Sequence, residues 1–199
     1  MDSPGSSFPH ASWKILSSRL VLKTPHLHLR ADRVELPDGG IVDDYFVQES
    51  RGYSVIFAMT ESGEVVLVRQ YKHGVGRVML ELPAGGIDPG EEPAGCASRE
   101  LAEETGYSGD PPTFLASFST NPTGSNGRFY LYLIRNAVRR TEQRLDRTEQ
   151  IEVVVVGLPT LLSYARDGSI DVNSHVTAIL YIFDLAAQGK LLLPFTTSS

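Results

Sequence analysis

The stretch from Gly85 to Tyr107 constrains this chain more than any other. Gly85, Gly86 and Gly90 lead the backbone into a helix-like run, Glu91–Thr105, that Gly106 stops. Pro93 is tolerated in the first turn, where the amide it lacks has no intrahelical partner, and glycine is an ordinary stop. The run places Glu100, Glu103 and Glu104 at i, i+3 and i+4, so three carboxylates leave one face within a turn. Like charges so spaced cost a bare helix about 0.2–0.5 kcal/mol per pair. They also stand near a helix C-terminus, where the dipole disfavours anions. A sequence that accepts both costs either solvates that face or holds a cation on it.

Strand signals surround this unit. Trp13 to Gln48 reads as a small antiparallel β unit with a turn at Pro37-Asp38-Gly39-Gly40. Ser54–Met59 and Glu64–Gln70 form a hairpin pattern around Glu61-Ser62-Gly63, and Val78–Leu82 precedes the glycine-dense turn at Pro83-Ala84-Gly85-Gly86. Thr113–Phe118, Phe129–Ile134 and Ile151–Gly157 follow as strands. Pro159–Arg166 reads as a short helix, and a last helix is capped by Asn173 or Ser174, with Val176, Ile179, Leu180 and Phe183 at helical spacing. Strands and helices alternate only in part, which predicts an α+β fold with a mixed sheet. The expected organisation is a flexible leader over 1–12, an N-terminal β unit over 13–50, a main domain over 51–190 and a tail over 191–199.

Composition narrows the function. The 199 residues hold 18 Lys+Arg against 24 Asp+Glu, a net charge of −6. That leaves no basic field for a nucleic-acid polymer. The apolar stretches fall far short of the roughly 20 residues a membrane span needs. The one cysteine, Cys96, cannot pair within the chain, so a cytoplasmic protein is expected, with Cys96 as packing on the helix.

Other residues favour the cation reading of the helix face. Ala84-Gly85-Gly86 lets the backbone come close and offers a carbonyl oxygen as a further hard ligand. Arg99 has the fork geometry to grip a carboxylate such as Glu91 and brace the loop. Oxygen ligation without His or Cys favours Mg²⁺ or Mn²⁺ over zinc.

The string Gly85, Glu91, Arg99-Glu100-Leu101, Glu103-Glu104, Gly106 resembles the signature box of the Nudix hydrolases, with Tyr107 in the last apolar place as a departure. The resemblance implies a Nudix α/β/α sandwich and metal-dependent hydrolysis of a nucleoside diphosphate linked to another moiety. It makes Glu100, Glu104 and the Ala84 carbonyl metal ligands, and Glu103 a ligand or proton acceptor.

Features outside the box are similar to the branch that hydrolyses ADP-ribose and other nucleoside diphosphate sugars. They are Val66 to Lys72, Glu81 to Gly85, the N-terminal β unit, and Pro122 sixteen residues past Gly106. That branch implies an intertwined homodimer. It also implies an acidic loop before a strand, matched by Asp146 to Val153, in which Glu149 serves as ligand or base, with Asp146 second. Arg69, Lys72, Arg51, His26 and Pro122 are the candidate substrate contacts. Lys72 stands where the branch has arginine, and Arg147 takes a place open to an acidic base; Thr120–Arg128 holds no carboxylate. Three alternatives stay open: a GDP-sugar or coenzyme pyrophosphate, a dinucleoside polyphosphate, or a sensor that binds ADP-ribose without hydrolysis.

Overall fold

The computed structural model describes residues 12–25 and 27–194. Most of the expected leader, the end of the tail and His26 lie outside the described residues. Two units emerge: the chain up to Ser50 with Ser119–Gly127, and Arg51–Phe118 with Arg128 onward.

In the first unit, β1 (Lys14–Lys23), β2 (His28–Glu35) and β3 (Ile41–Glu49) form an antiparallel sheet in chain order. The Asp38 carboxylate accepts the Gly40 N–H at 2.9 Å, closing the turn between β2 and β3. Sequence reading places 119–127 within the main domain, yet the segment groups with this sheet. Gln48 donates its N–H to the Gly124 carbonyl (2.8 Å), and the Tyr45 hydroxyl donates to the Thr123 carbonyl (2.5 Å).

The second unit is built on a mixed sheet. Its strands are β4 (Tyr53–Thr60), β5 (Glu64–Lys72), β6 (Arg77–Glu81), β7 (Ala84–Gly86), β8 (Tyr107–Ser108), β9 (Thr113–Ser119), β10 (Arg128–Arg139) and β11 (Ile151–Gly157). The central order is β11-β5-β4-β10-β8, with β10 parallel to β4. Alternation along β4 explains the layers. Val55, Phe57 and Met59 pack with α2 (Leu158–Asp167) and α3 (Asn173–Ala187), whereas Ile56 and Ala58 pack with Ala97 and Leu101 of α1 (Pro93–Thr105). Each face of the sheet thus has its own helical cover, because side-chain direction reverses at every residue. The α+β fold with a mixed sheet is the one expected from the sequence.

Local differences have local causes. The Pro83–Gly86 turn contains the short strand β7, because Gly85 pairs with Ser54 of β4. β10 continues past Ile134 through an irregularity at Asn136, whose φ is 53°. The cap of α3 is Val172, not Asn173 or Ser174, and no side chain caps it; Asn173 is already helical.

Candidate active site

α1 and the strand before it assemble the site. Gly106, at φ 75°, ends the helix in the left-handed region and returns its N–H to the Ala102 carbonyl. At the other end, Ser54 donates its hydroxyl to the Pro93 carbonyl at 2.7 Å, pinning the helix start to β4. Gly85 is required for a different reason. A Cβ there would lie 1.9 Å from the carboxyl carbon of Glu100, so any larger residue would push that carboxylate from its place.

Arg99 organises the carboxylates. Its Nε and Nη2 donate to the two oxygens of Glu91, both at 2.8 Å, which is the expected fork. Nη2 also reaches the Gly86 carbonyl at 3.0 Å, bracing the glycine loop against the helix. Nη1 turns to the functional face, donating to Glu100 at 2.7 Å and Glu103 at 3.1 Å. The guanidinium holds Glu91 down at about 2, and Glu91 in turn raises Arg99 above its ordinary value.

Glu104 is the enclosed member, 4 % exposed. Its Oε2 accepts the Ala84 N–H at 3.0 Å. Burial, with repulsion from Glu100 and Glu149, pushes its carboxyl up to about 8; the Ala84 bond and the charge of Lys72 oppose this. Burial likewise raises Glu100, with repulsion from Glu103 and Glu149 acting against the stabilising charge of Arg99. Glu149, although far along the chain, thus adds to the negative charge felt by both Glu100 and Glu104. Glu149 accepts the Asp146 N–H at 2.9 Å within its own loop, and Asp146 is exposed. Among the described residues, no three His, Cys, Asp or Glu side chains are already gathered as a metal cage. Arg99 and the Ala84 N–H already bond to oxygens of Glu100, Glu103 and Glu104.

The candidate substrate contacts are dispersed. Lys72 pairs with Glu81 at 3.1 Å, and Gln70 donates to the same carboxylate at 3.3 Å. Arg69 pairs with Glu152 at 2.9 Å, side by side on β5 and β11. That pair borders a groove of about 560 Å³ that Tyr71, Val78, Leu145 and Glu149 also line. Arg51 is exposed and has no ion-pair partner among the described residues. Pro122 belongs to the 119–127 segment of the first unit. Cys96 is fully buried and its thiol faces the Gly85 and Gly86 carbonyls at 3.3 and 3.4 Å, so it packs and tightens the loop.

Three residues near the site escaped the sequence reading. Glu81 is buried beneath Lys72. His175 is 4 % exposed and accepts the Leu82 N–H on Nδ1 at 3.0 Å, two residues before Ala84. Gln143 reaches back from the Glu149 loop to α1. For His175 the signal was its position, one turn before buried Ile179 on the apolar face of α3.

Residues 50–188 match the NUDIX domain. The chain belongs to the Nudix hydrolase family. Ahead of the Nudix domain, residues 13–48 match the nucleoside diphosphate sugar hydrolase N-terminal domain. Among relatives, the methanol dehydrogenase activator of Bacillus methanolicus is 31% identical over 85% of this chain and 88% of its own. The ADP-ribose pyrophosphatase of Bacillus subtilis is 29% identical over 85% and 91%. The ADP-sugar pyrophosphatase of Mus musculus is 44% identical over 66% and 62%. A crystal structure of an ADP compounds hydrolase shares the Nudix fold with a TM-score of 0.78 at 22% identity, covering 93% of this chain and all of that one. The enzyme is thus a hydrolase whose family box spans the Arg99 cluster.

Proposed function

We propose that this Nudix hydrolase splits the pyrophosphate bond of ADP-ribose or a related nucleoside diphosphate sugar, giving a nucleoside monophosphate and a sugar phosphate. The observation that carries the reading is the seating of β7 on the carboxylates of α1: Gly85 lies against the Glu100 carboxyl, the Ala84 N–H meets buried Glu104 at 3.0 Å, and Arg99 holds Glu100 and Glu103 beside them. Such a cluster is poorly compensated by protein alone, since Glu104 has one N–H and Lys72 is paired with Glu81. Its donors are all oxygen, which fits Mg²⁺ or Mn²⁺. Glu100, Glu104 and the Ala84 carbonyl would hold the cation, with Glu103 and Glu149 as further ligands or base. When bound, the cation neutralises diphosphate oxygens and lowers the pKa of an attacking water.

The protein's own groups account for the rest. Glu149 or Glu103 takes the water's proton as the new P–O bond forms, and the bridging P–O bond breaks with its electron pair leaving on the departing phosphate. Arg99 keeps the glycine loop seated and limits repulsion between Glu100 and Glu103. The charge of Lys72 favours the ionised form of Glu104, while Arg69, Arg51, Pro122 and His26 remain the proposed substrate contacts. The match of residues 13–48 and the names of the Bacillus subtilis and Mus musculus relatives favour a nucleotide sugar as substrate. A homodimer is part of the same reading, supported by the apolar residues exposed on the first unit.

A hydrolysis screen over ADP-ribose, other nucleoside diphosphate sugars and dinucleoside polyphosphates, with Mg²⁺ or Mn²⁺, tests it. The nucleotide sugars should turn over fastest. Preference for another class would move the substrate assignment, and hydrolysis persisting in EDTA would refute the metal requirement.

A further inference from the structure

The loop between β10 and β11 carries Glu149, which lies in no strand or helix. One side chain at the loop's start ties it to both of its neighbours. Gln143 Nε2 donates to the Glu104 carbonyl at 2.6 Å and to the Ile151 carbonyl at 3.0 Å. The first bond fixes the loop to the last turn of α1, and the second joins the loop's start to the first residue of β11. Next to it, Arg144 donates its backbone N–H to the Glu103 carbonyl at 2.9 Å. The loop is thereby bonded to the backbone of two residues whose side chains make up the carboxylate cluster.

The chemistry of this contact admits no substitute. A helix leaves its last carbonyls without intrahelical partners, so α1 needs outside donors there. A primary amide has two N–H bonds, one for each carbonyl. Its orientation follows, because the amide oxygen in that place would face two carbonyl oxygens. Within the loop, Glu149 N–H meets the Asp146 carbonyl and Asp146 N–H meets the Glu149 carboxylate, both at 2.9 Å. The turn carrying Glu149 is thus closed by two bonds of its own, downstream of the clamp at Gln143.

We propose that Gln143 is a positioning residue: its amide clamps the 143–151 loop to the end of α1 and so sets Glu149 against Glu100 and Glu104. This rests on the reading of Glu149 as part of the catalytic set. It makes Gln143 act through Glu149 and not on the substrate.

The test pairs Gln143→Met, of similar length but without donors, with Gln143→Asn, which keeps the amide but is one methylene shorter. Amide hydrogen exchange over 142–150 should quicken about tenfold or more in both variants, with the sheet and α1 unchanged. With ADP-ribose, kcat should fall about 10- to 100-fold while KM stays within about threefold. In a Glu149→Gln background the same substitutions should cost nothing further, since they act through the group already removed. Titration with Mn²⁺ alone should show the same non-additivity. Unchanged exchange in the loop overturns the clamp, and losses that multiply with Glu149→Gln overturn its action through Glu149. Should the wild-type protein hydrolyse no nucleotide sugar, the proposed reaction falls, while exchange and Mn²⁺ titration still decide the role of Gln143.

Discussion

Ala84 donates its backbone N–H to Glu104 across 3.0 Å, joining the strand before the box helix to the most enclosed carboxyl in the site. Glutamine at 104 keeps an oxygen for that bond and removes the charge. Glu104→Gln should therefore fold, and should lose about two or more orders of magnitude in kcat. Steady-state kinetics beside circular dichroism checks this; near wild-type turnover would remove Glu104 from the metal set.

The same carboxyl gives a pH signature without metal. Its folded value, about 8, lies above the ordinary 4.5, so the folded state binds the proton more tightly than the unfolded chain. Its contribution to stability is full below about 4.5 and is lost as pH rises through about 8. The melting temperature of Glu104→Gln in EDTA should gain on wild type across that window and level off above it. A divalent cation should stabilise wild type more at the upper end than at the lower, because it needs the ionised form. A difference that is flat with pH would contradict the buried, protonated state.

His175 gives the opposite slope. Burial holds its imidazole neutral and pushes its value down to about 3, aided by the charge of Lys72. The unfolded chain takes up a proton below about 6.5 and the folded one does not, so stability falls as pH drops from 6.5 toward 3. His175→Leu should flatten that limb. It should also cost about 1–3 kcal/mol near neutrality, since the Leu82 N–H loses its acceptor. Thermal unfolding across pH 4–8 separates the two effects. An unchanged acid limb would mean that His175 titrates normally.

How much of this was legible depended on sequence separation. Glu91, Arg99, Glu100, Glu103 and Glu104 belong to one helix and its approach, so helical geometry nearly fixes their relations, and the Arg99–Glu91 fork followed from side-chain chemistry. Glu81 and Gln70 meet only because β5 and β6 pair in a particular register, which composition does not reveal. His175 and Leu82 are 93 residues apart, and the histidine sits where the helical pattern calls for an apolar residue. The placement of Asn173 failed for a local reason: the chain turns helical one residue early, and backbone alone starts α3 at Val172.

Gly85→Ala probes the close approach of β7 to α1. The added methyl would overlap the Glu100 carboxyl, so Glu100 must leave its place beside Arg99. Glu100 is mostly buried but its carboxylate ends a flexible side chain, so the expected cost in stability is moderate, about 1–3 kcal/mol. The loss of kcat should be much larger. If activity and melting temperature both survive, Glu100 does not depend on its present position.

The first unit carries a surface that calls for a partner. Every residue of β1 is exposed, including Ile15, Leu20 and Leu22, and Trp13, Ile41 and Phe46 add to the apolar surface. A three-stranded sheet that leaves so much apolar area to water is an association surface by ordinary standards. A second copy of the chain is the proposed cover. Light scattering at micromolar concentration should give twice the chain mass. Leu20→Asp with Leu22→Asp should shift it to one chain while leaving the Nudix domain folded, because neither residue belongs to the cores packed on the mixed sheet. A wild-type monomer would reject the dimer, and a dimer that survives both substitutions would place its interface elsewhere.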